Sequence, residues 1–582
     1  MTAVRTKSKA PTGTAIQLAQ GRYANLDEDK LRGGYYTSAR VAEWLCSWAI
    51  QDAGETVLEP SCGDGAFLEA AMRRYQALEA SADQIAMNLK GVEINAGEAK
   101  RARARLKPLL GKMADQVVHN SDFFGWWQGT DQPAYDVIVG NPPFIRYQSF
   151  PEPHRTLAMA IMGEQGLTPN KLTNIWVPFV VAATASLKVG GRLALVLPAG
   201  ILQVPYAAQL RSFLTDRFKR IDVVACNELF FEKAEQEVVL LLADGALARA
   251  SESNKCRVAM TEADRVSDIT DRSPSILLKA AKPKTIQHDN EKWLKYFLDN
   301  KQIEFMRELR EAEITADMSA HASIDVGVVT GKNEFFVLSG DQVAELGLEA
   351  YTTPLVSRSV QLKGTRLGKS DWKSLSAAGD RVHLLNISAA QLGRLSPKLK
   401  RYIQEGESKL FHKGYKCSIR KPWYTVPSVW TPDGFAFRQI YDFPRMVLNT
   451  SEATSTDTIH RLCTKGAETE RIIANTYTWL TAASAEIEGR SYGGGGLGLG
   501  PTEAGRLLMP AKLNGAMSLA EADKLIRAGR LDDVLEENAR IVLMEHLGLS
   551  AKECGLLKGA WTKMRNRRNS RRRGAKVTGH AK

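Results

Sequence analysis

Two consecutive prolines stand between an asparagine and a phenylalanine in Asn141-Pro142-Pro143-Phe144, directly after an apolar run that predicts a β-strand. The prolines remove backbone donors and stiffen the turn, which leaves the Asn141 side-chain oxygen and the Pro142 carbonyl to accept hydrogen bonds. An exocyclic NH₂ group is the complementary donor. It becomes positive as it attacks a methyl sulfonium, and two preplaced acceptors stabilise that charge. Phe144 can stack on a base and hold it in line. The tetrapeptide therefore indicates methyl transfer to an amino nitrogen, with a simple strand terminator as the alternative.

A second pattern is an apolar strand ending at Glu59, followed by a turn containing Ser61, Gly63, Asp64 and Gly65 and then by a helix. Small residues let the backbone approach a ligand at the carboxyl end of a strand, where open α/β sheets bind ligands. The turn lacks the dinucleotide-binding GxGxxG pattern and instead presents two carboxylates. Acidic groups suit a ligand that carries an ammonium and a sulfonium, whereas an ordinary strand–helix turn is the alternative for this motif alone.

The next two predicted strands also end in polar residues. Glu93, followed by Ile94, is placed where such a sheet presents a carboxylate to ribose hydroxyls. Asp122 and Phe123 offer a polar acceptor and an aromatic wall suitable for an adenine ring. Three successive strand ends in this order favour one shared ligand site.

These residues are positioned by strands that alternate with helices between residues 56 and 242, which predicts an α/β fold with a mostly parallel sheet. The last two strands are joined by a short segment, so their pairing can be antiparallel. Seven strands are predicted at 56–59, 90–93, 116–119, 135–140, 192–197, 221–225 and 237–242, and helices at 66–75, 96–109, 172–187 and 206–218.

Together these motifs resemble the gamma class of S-adenosylmethionine-dependent DNA amino-methyltransferases. The resemblance implies a class I methyltransferase fold, a Rossmann-like, seven-stranded, mostly parallel sheet, with S-adenosylmethionine as cofactor and no metal. By resemblance, Tyr36 and Thr37 precede the glycine motif and bind the methionine moiety. The residues matched to the cofactor site are Tyr36, Thr37, Glu59, Ser61, Gly63, Asp64, Gly65, Glu93, Ile94, Asp122, Phe123 and Asn141.

The catalytic residues implied by the resemblance are the tetrapeptide 141–144 and an aromatic before the last strand, Phe230, with Phe231 as the alternate. The target adenine is expected to leave the duplex and enter a pocket between Phe144 and Phe230. In this family asparagine at the first motif position favours adenine N6 over cytosine N4. Phe144 stands where many relatives carry tyrosine, and both side chains can stack.

Other readings remain open, because Asn-Pro-Pro also occurs in methyltransferases of glutamine amides and of RNA amines. A catalytically silent DNA-binding subunit and a fused methyltransferase–nuclease are further alternatives. No nuclease carboxylate–lysine cluster is recognisable, so any restriction endonuclease is expected to be a separate chain. Duplex DNA is the expected partner, because the large C-terminal region contains segments that resemble recognition domains.

The remaining sequence predicts further segments around the catalytic domain. The run 327–336 and the glycines after Tyr492 resemble recognition domains of the same family. The predicted order is a flexible arm at 1–30, the catalytic domain at 31–250, a connector at 251–320, a mixed α+β target-recognition domain at 321–510, a helical segment at 511–560 and a basic tail at 561–582. Candidate phosphate contacts in the recognition domain are Arg358, Lys363, Arg366, Lys413, Lys416, Arg420 and Lys421.

The composition is typical of a globular protein, and its excess of basic residues suits binding to a polyanion. The 582 residues carry 78 Lys and Arg against 65 Asp and Glu, a formal net charge of +13. Nine of those basic residues and no acidic ones lie at 561–582, in a tail too polar to fold by itself that either attracts polyphosphate or only keeps the chain soluble. The seven cysteines lack a CxxC pair, and neither a membrane span nor a secretory signal is recognisable, so a reduced, cytoplasmic protein is expected.

Overall fold

The computed structural model describes residues 37–132, 134–170, 172–228, 230, 237–248, 256–287, 291–465, 468–492 and 494–577, with side chains described up to residue 570. The chain forms two compact units, Met1–Glu291 and Lys292–Lys582. None of the helices in the described ranges is both long enough and apolar enough to cross a membrane. The predicted arm at 1–30 lies outside the described residues.

The first unit is built around one sheet. Its strands are β1 (Val57–Glu59), β2 (Leu89–Glu93), β3 (Val118–Asn120), β4 (Tyr135–Gly140), β5 (Leu187–Pro198), β6 (Phe218–Cys226), β7 (Val238–Ala246), β8 (Arg257–Ala263) and β9 (Pro283–Lys284). Within the described residues the sheet has nine strands in the order β3-β2-β1-β4-β5-β7-β6-β8-β9. Strands β1 to β5 pair in parallel, whereas β7 is antiparallel to both β5 and β6. The predicted antiparallel pairing of the last two predicted strands is therefore present.

The predicted strand count of seven is wrong, because β8 and β9 extend the sheet beyond β6. Both come from the stretch 251–320, which the sequence predicts as an irregular connector. Strand β8 pairs in parallel with β6 and buries Val258, Ala259 and Met260. Joining the sheet satisfies the open edge of β6, whose N–H and C=O groups would otherwise lack partners. The boundary between the units lies at 291/292, inside the predicted connector.

Helices connect these strands and share their core. They are α1 (Ala39–Ala49), α2 (Ala66–Ala77), α3 (Ala82–Asn88), α4 (Ala96–Leu110), α5 (Ala114–Val117), α6 (Phe123–Gln128), α7 (His154–Glu164), α8 (Trp176–Ala185), α9 (Ala208–Arg217), α10 (Val266–Thr270) and α11 (Pro274–Lys279). One apolar cluster joins Leu45 and Phe67 of the helices to Val137, Val196 and Leu240 of the strands, all buried. Burial of such side chains, roughly 1.5–3 kcal/mol each, holds the strand ends in fixed positions.

Glycine is required where α2 begins. Gly65 has φ of +88°, and a Cβ atom there would lie 2.9 Å from both Cα and Cβ of Ala102. Only glycine combines this left-handed conformation with so close an approach of α2 to α4. The turn after β1 therefore has a defined path.

The second unit mixes strands and helices, as the sequence predicts for residues 321–510. Its strands are β10 (Thr315–Asp317), β11 (Ala322–Asp325), β12 (Val337–Ser339), β13 (Thr352–Val356), β14 (Arg366–Gly368), β15 (Arg381–Leu385), β16 (Gly434–Phe437), β17 (Gln439–Ile440), β18 (Met446–Thr450), β19 (Thr454–Ser455), β20 (Ile459–Thr464), β21 (Arg490–Ser491), β22 (Leu497–Gly498) and β23 (Leu508–Pro510). Among the described residues the larger sheets are β11-β20-β16-β18-β14 and β12-β15-β13-β19.

Its helices lie between and after these strands. They are α12 (Asn300–Glu311), α13 (Met318–His321), α14 (Asn333–Phe336), α15 (Gly340–Leu346), α16 (Lys369–Ala377), α17 (Ala389–Leu392), α18 (Pro397–Ser408), α19 (Tyr415–Ser418), α20 (Thr469–Thr476), α21 (Trp479–Glu488), α22 (Pro501–Gly505), α23 (Leu519–Arg527), α24 (Leu531–Asn538) and α25 (Ala551–Val577). A π-helical stretch, Ala539–His546, continues α24.

The prediction of an unfolded basic tail at 561–582 is wrong for residues 561–577, which continue α25. Leu557, Trp561 and Met564 are buried along one face of this helix, at the spacing of an amphipathic helix. Arg568 is 2% exposed and lies 2.6 Å from the Glu486 carboxylate. Apolar contacts and this ion pair thus order a segment whose composition alone suggested disorder.

Candidate active site

The carboxyl ends of β1, β2, β3 and β4 meet at one edge of the sheet and enclose a cavity of about 510 Å³. This is the edge at which open α/β sheets bind ligands, because the loops after parallel strands converge there. The predicted residues that line the cavity are Thr37, Glu59, Ser61, Gly63, Asp64, Glu93, Ile94, Asp122, Phe123, Asn141 and Pro143.

Glu59 is the most deeply buried acid of the cavity, with 2% of its surface exposed. Its Oε2 atom has no hydrogen-bond partner among the described residues. Burial raises the pKa of this carboxyl well above its usual range, and the nearby charges of Asp64 and Glu93 raise it further. A buried carboxylate with an unused oxygen favours a cationic ligand group.

Glu93 fastens the second strand end to the turn after the first. Its Oε2 accepts the Gly63 N–H at 2.9 Å, and its Oε1 accepts the Asn95 N–H at 2.7 Å. Burial raises the pKa of Glu93, although these two backbone hydrogen bonds oppose the shift. Each carboxylate oxygen keeps further acceptor capacity for a ligand hydroxyl.

Asp64 forms the outer part of the acidic wall. Its Oδ2 accepts a charged hydrogen bond from Arg105, and Arg105 also lies 3.0 Å from Glu69. The Arg105 guanidinium therefore offsets the charge of Asp64, whereas Glu59 has no ion pair of this kind among the described residues. The cationic ligand group is consequently expected near Glu59.

Asp122 and Phe123 begin helix α6 at the third strand end. Asp122 caps the helix by accepting the Gly125 N–H at 2.8 Å, and the same oxygen lies 3.2 Å from Nδ1 of His154. Phe123 is buried and stacks on Phe179 with centroids 5.2 Å apart and planes inclined by 16°. The third strand end thus supplies a fixed carboxylate and an aromatic wall to the cavity.

The Asn141 side chain is oriented by contacts with both neighbouring parts of the site. Its Nδ2 donates to Thr37 Oγ1 at 3.3 Å, and its main-chain carbonyl accepts the Ser61 hydroxyl at 3.3 Å. Gly140, with φ of +150°, lets the chain turn close to Glu59, since a Cβ there would lie 3.4 Å from Glu59 Cγ. With Nδ2 used as a donor, Oδ1 is the acceptor atom of this amide.

Several predicted site residues do not line the cavity. Gly65 positions the turn behind it, and Pro142 is buried. Phe144 and Phe230 are partly buried and pack against the apolar cluster of the first unit. Tyr36 and the alternate Phe231 lie outside the described residues.

The cavity also includes residues that the sequence reasoning missed. Ile145, Ser149, Phe150 and Pro151 follow the tetrapeptide in one loop, and Phe179 comes from helix α8. The position of this loop after the end of β4 could have indicated a functional segment, since loops at strand ends often carry binding residues. Phe179 has none, because α8 is apolar on all sides. No group of three or more His, Cys, Asp or Glu in the described part of the chain is arranged to hold a metal ion.

In the second unit the predicted phosphate contacts differ in availability. Arg420 donates to the carbonyls of Val329 at 2.6 Å, Thr330 at 2.7 Å and Thr425 at 3.3 Å. These bonds use donors on both Nη1 and Nη2, so Arg420 has fewer donors left for a phosphate than the exposed basic residues, and its role as a phosphate contact stays a prediction. Arg366 is half-buried, and the exposed members are Arg358, Lys363, Lys413, Lys416 and Lys421.

Comparison with known proteins relates these features to a family. The profile of the N-6 DNA Methylase family matches residues 18–318, and a profile described as Type II methyltransferase M.Eco57I, C-terminal domain, matches residues 290–543. Type II methyltransferase M.AccI of Acinetobacter calcoaceticus is 21% identical over 420 residues, covering 71% of this chain and 72% of the relative. Type II methyltransferase M.BstVI of Geobacillus stearothermophilus is 22% identical over 440 residues, covering 68% and 74%.

Among solved structures, the Type IIL restriction-modification enzyme MmeI in complex with DNA has a TM-score of 0.49 and 13% identity, covering 96% of this chain and 75% of that one. Because the first family profile spans more than half of the sequence, this chain belongs to the N-6 DNA methylase family.

Proposed function

We propose that this chain is a gamma-class, sequence-specific DNA methyltransferase that transfers a methyl group from S-adenosylmethionine to adenine N6. The observation that carries the proposal is the position of Asn141, whose oriented amide borders the cavity that contains Glu59 and Glu93. Membership of the N-6 DNA methylase family and the named Type II methyltransferase relatives support DNA as the substrate.

The residues of the cavity fit S-adenosylmethionine. The buried Oε2 of Glu59, which has no hydrogen-bond partner among the described residues, suits the ammonium of the methionine moiety. The Glu93 carboxylate suits the ribose hydroxyls, and Ile94 with Phe123 suits the two faces of the adenine ring. When bound, the cofactor supplies an electrophilic methyl group on a sulfonium sulfur.

Asn141 and Pro142 act on the target amine. The Asn141 Oδ1 and the Pro142 carbonyl accept hydrogen bonds from N6 and stabilise the positive charge that develops on it. Thr37 and Ser61 hold Asn141 in place through Nδ2 and the main-chain oxygen. Such preorganisation lets the acceptors act without rearranging during the reaction.

The target base is proposed to leave the duplex, because N6 is otherwise unreachable by a buried site. Phe144 would stack on the extruded adenine, and Phe230 would cover its other side. Both already pack against the apolar cluster of the first unit. We further propose that the second unit recognises the DNA sequence, and that methylation protects host DNA from a separate restriction endonuclease.

Transfer of a tritium-labelled methyl group by the purified chain tests this proposal. Unmethylated plasmid DNA, total RNA and a glutamine-containing peptide are offered separately, and the labelled product is hydrolysed and separated by chromatography. We expect label in N6-methyladenine from DNA. Label in N4-methylcytosine, RNA or the peptide would contradict the assignment, whereas cofactor binding without any transfer would favour a silent DNA-binding subunit.

A further inference from the structure

Residues 409–421 in the second unit expose several apolar and basic side chains. Leu410 is 55% exposed, Tyr415 70% and Ile419 62%. Exposed lysines lie between and beside them, and the whole stretch carries five Lys and Arg and no Asp or Glu. We define the lysine–apolar face as Leu410, Lys413, Tyr415, Lys416, Ile419 and Lys421.

Other residues of this stretch are fixed to the fold. Cys417 is fully buried, and the Arg420 guanidinium donates to the carbonyls of Val329 and Thr330. Phe411 packs on Phe335 with centroids 6.2 Å apart. The apolar side chains of the face therefore stay exposed because other residues of the same stretch are anchored, and several large apolar side chains exposed within a dozen residues suit an interaction site.

A cavity of about 400 Å³ adjoins the face. Its lining includes Lys416, Ile419 and Arg420 together with Val326 and Arg461. Three basic residues and no acidic residue line this cavity within the described structure. Arg461 is held in place by hydrogen bonds to the carbonyls of Val326 and Ser428.

The charge of the face determines the kind of partner. Several lysines without an acidic neighbour in the stretch repel one another and favour a partner with regularly spaced negative charge. Apolar and aromatic groups between them match the sugars and bases that lie between phosphates. Duplex DNA combines both features.

We propose that the lysine–apolar face is a duplex-DNA contact of the second unit, and this proposal rests on the proposed function. Lys413, Lys416 and Lys421 contact phosphates, and Tyr415 and Ile419 pack against sugars or base edges. The lysines supply the salt-dependent part of binding and the apolar pair supplies a salt-independent part.

The test uses the full chain with S-adenosylhomocysteine and a fluorescent mixed-sequence DNA duplex, and polarisation gives Kd across a salt series. The triple variant Lys413→Ala, Lys416→Ala and Lys421→Ala is compared with a control of the same net charge, Lys301→Ala, Lys373→Ala and Lys552→Ala, all exposed lysines. A third protein carries Tyr415→Ala and Ile419→Ala. Cofactor titration and circular dichroism show that each variant is folded.

We expect the triple variant to bind at least tenfold more weakly near physiological salt. Its slope of log Kd against log salt should fall by about 3, close to one unit for each lost phosphate contact. The tyrosine–isoleucine variant should lose affinity without a change in slope, and the control should match the unchanged protein.

Equal affinity and slope in the triple variant and the control would overturn the proposal, and would leave an acidic protein partner as the better occupant of the face. If the unchanged protein methylates DNA while this happens, only the role of the face fails. If the unchanged protein neither binds nor methylates DNA, the proposed function fails with it.

Discussion

The Glu93 carboxylate accepts the backbone N–H of Gly63 at 2.9 Å, a bond between residues 30 positions apart in the chain. It joins the end of β2 to the turn after β1, so that the acids of the two strand ends face one cavity. This arrangement makes ionisation of Glu59 unfavourable, because burial and the charges of Asp64 and Glu93 all raise its pKa. A ligand cation beside Glu59 would stabilise the ionised carboxylate.

Glu59→Gln is expected to weaken S-adenosylmethionine binding by about 10- to 100-fold, since a hydrogen bond to a charged group contributes about 1.5–3 kcal/mol. Isothermal titration calorimetry measures the change. Glu43→Gln, an exposed acid paired with Arg73, is the matched control and should leave Kd unchanged. Equal Kd values for the two variants would exclude Glu59 as the ammonium contact.

The same Glu59→Gln substitution is expected to stabilise the cofactor-free protein at pH 8. A carboxyl with a raised pKa in the folded state contributes stability below its unfolded pKa, and loses it as pH rises through the folded pKa. At pH 8 the unfolded chain ionises Glu59 freely, whereas the folded chain resists that ionisation, so the unchanged protein carries a destabilising contribution that the amide removes. Thermal unfolding should show a higher Tm for the variant at pH 8 and a smaller difference at pH 5; a lower Tm at both pH values would contradict this account.

Cofactor binding should also release protons. A cation beside Glu59 favours the ionised carboxylate and lowers its pKa, so affinity should rise as pH increases from the usual range of a carboxyl through the raised pKa of Glu59 in the cofactor-free protein. Calorimetry at pH 6 in two buffers of different ionisation heat measures the released protons. Glu59→Gln should abolish most of the release, and an equal release in both proteins would place the linked proton elsewhere, with Glu93 as the next candidate because burial also raises its pKa.

Phe144→Ala is expected to reduce the single-turnover methylation rate at least tenfold, whereas Phe144→Trp should keep most of it. Stacking between a base and an aromatic side chain contributes about 1–3 kcal/mol, and tryptophan preserves a stacking face. Rapid-quench kinetics at saturating cofactor compares them. Comparable rates in the two variants would show that stacking at this position does not limit the reaction.

Arg568→Ala is expected to lower the free energy of unfolding by about 3–5 kcal/mol, because it leaves Glu486 buried without its cation. Replacing both residues, with Arg568→Met and Glu486→Leu, should restore much of that loss. Arg471→Ala, which breaks an exposed ion pair with Glu468, serves as the control and should cost at most about 1 kcal/mol. Urea unfolding measures the free energy of unfolding of the single, double and control variants. A loss in Arg568→Ala no larger than in the control would contradict the anchoring role of the pair.

The acids of the site and Asn141 were predictable because each follows a strand, and the ends of parallel strands converge on one edge whatever the details of packing. Phe179 was not predictable, because its helix is apolar throughout and only the packed structure selects the face that meets the cavity. Strand β8 was missed for a related reason: its short buried run lies in a polar stretch, and only the open edge of β6 makes it a strand.

The end of the chain shows how composition and spacing can disagree. The buried face of α25 was visible in the spacing of Leu557, Trp561 and Met564. The basic composition of the same segment nevertheless predicted disorder. The charge of Arg568 is compensated by Glu486, which lies 82 residues away in the sequence. Pairing across such a distance cannot be inferred from one sequence.

Methylation of adenine N6 through Asn141 can be tested in cells. Single-molecule sequencing of plasmid DNA from cells that express either the unchanged chain or the Asn141→Ala variant tests it most directly. We expect N6-methyladenine confined to one short motif with the unchanged chain and absent with the variant, while the purified variant still binds S-adenosylmethionine. An unmodified plasmid from cells expressing the unchanged chain, or the same methylated motif with both proteins, would contradict it.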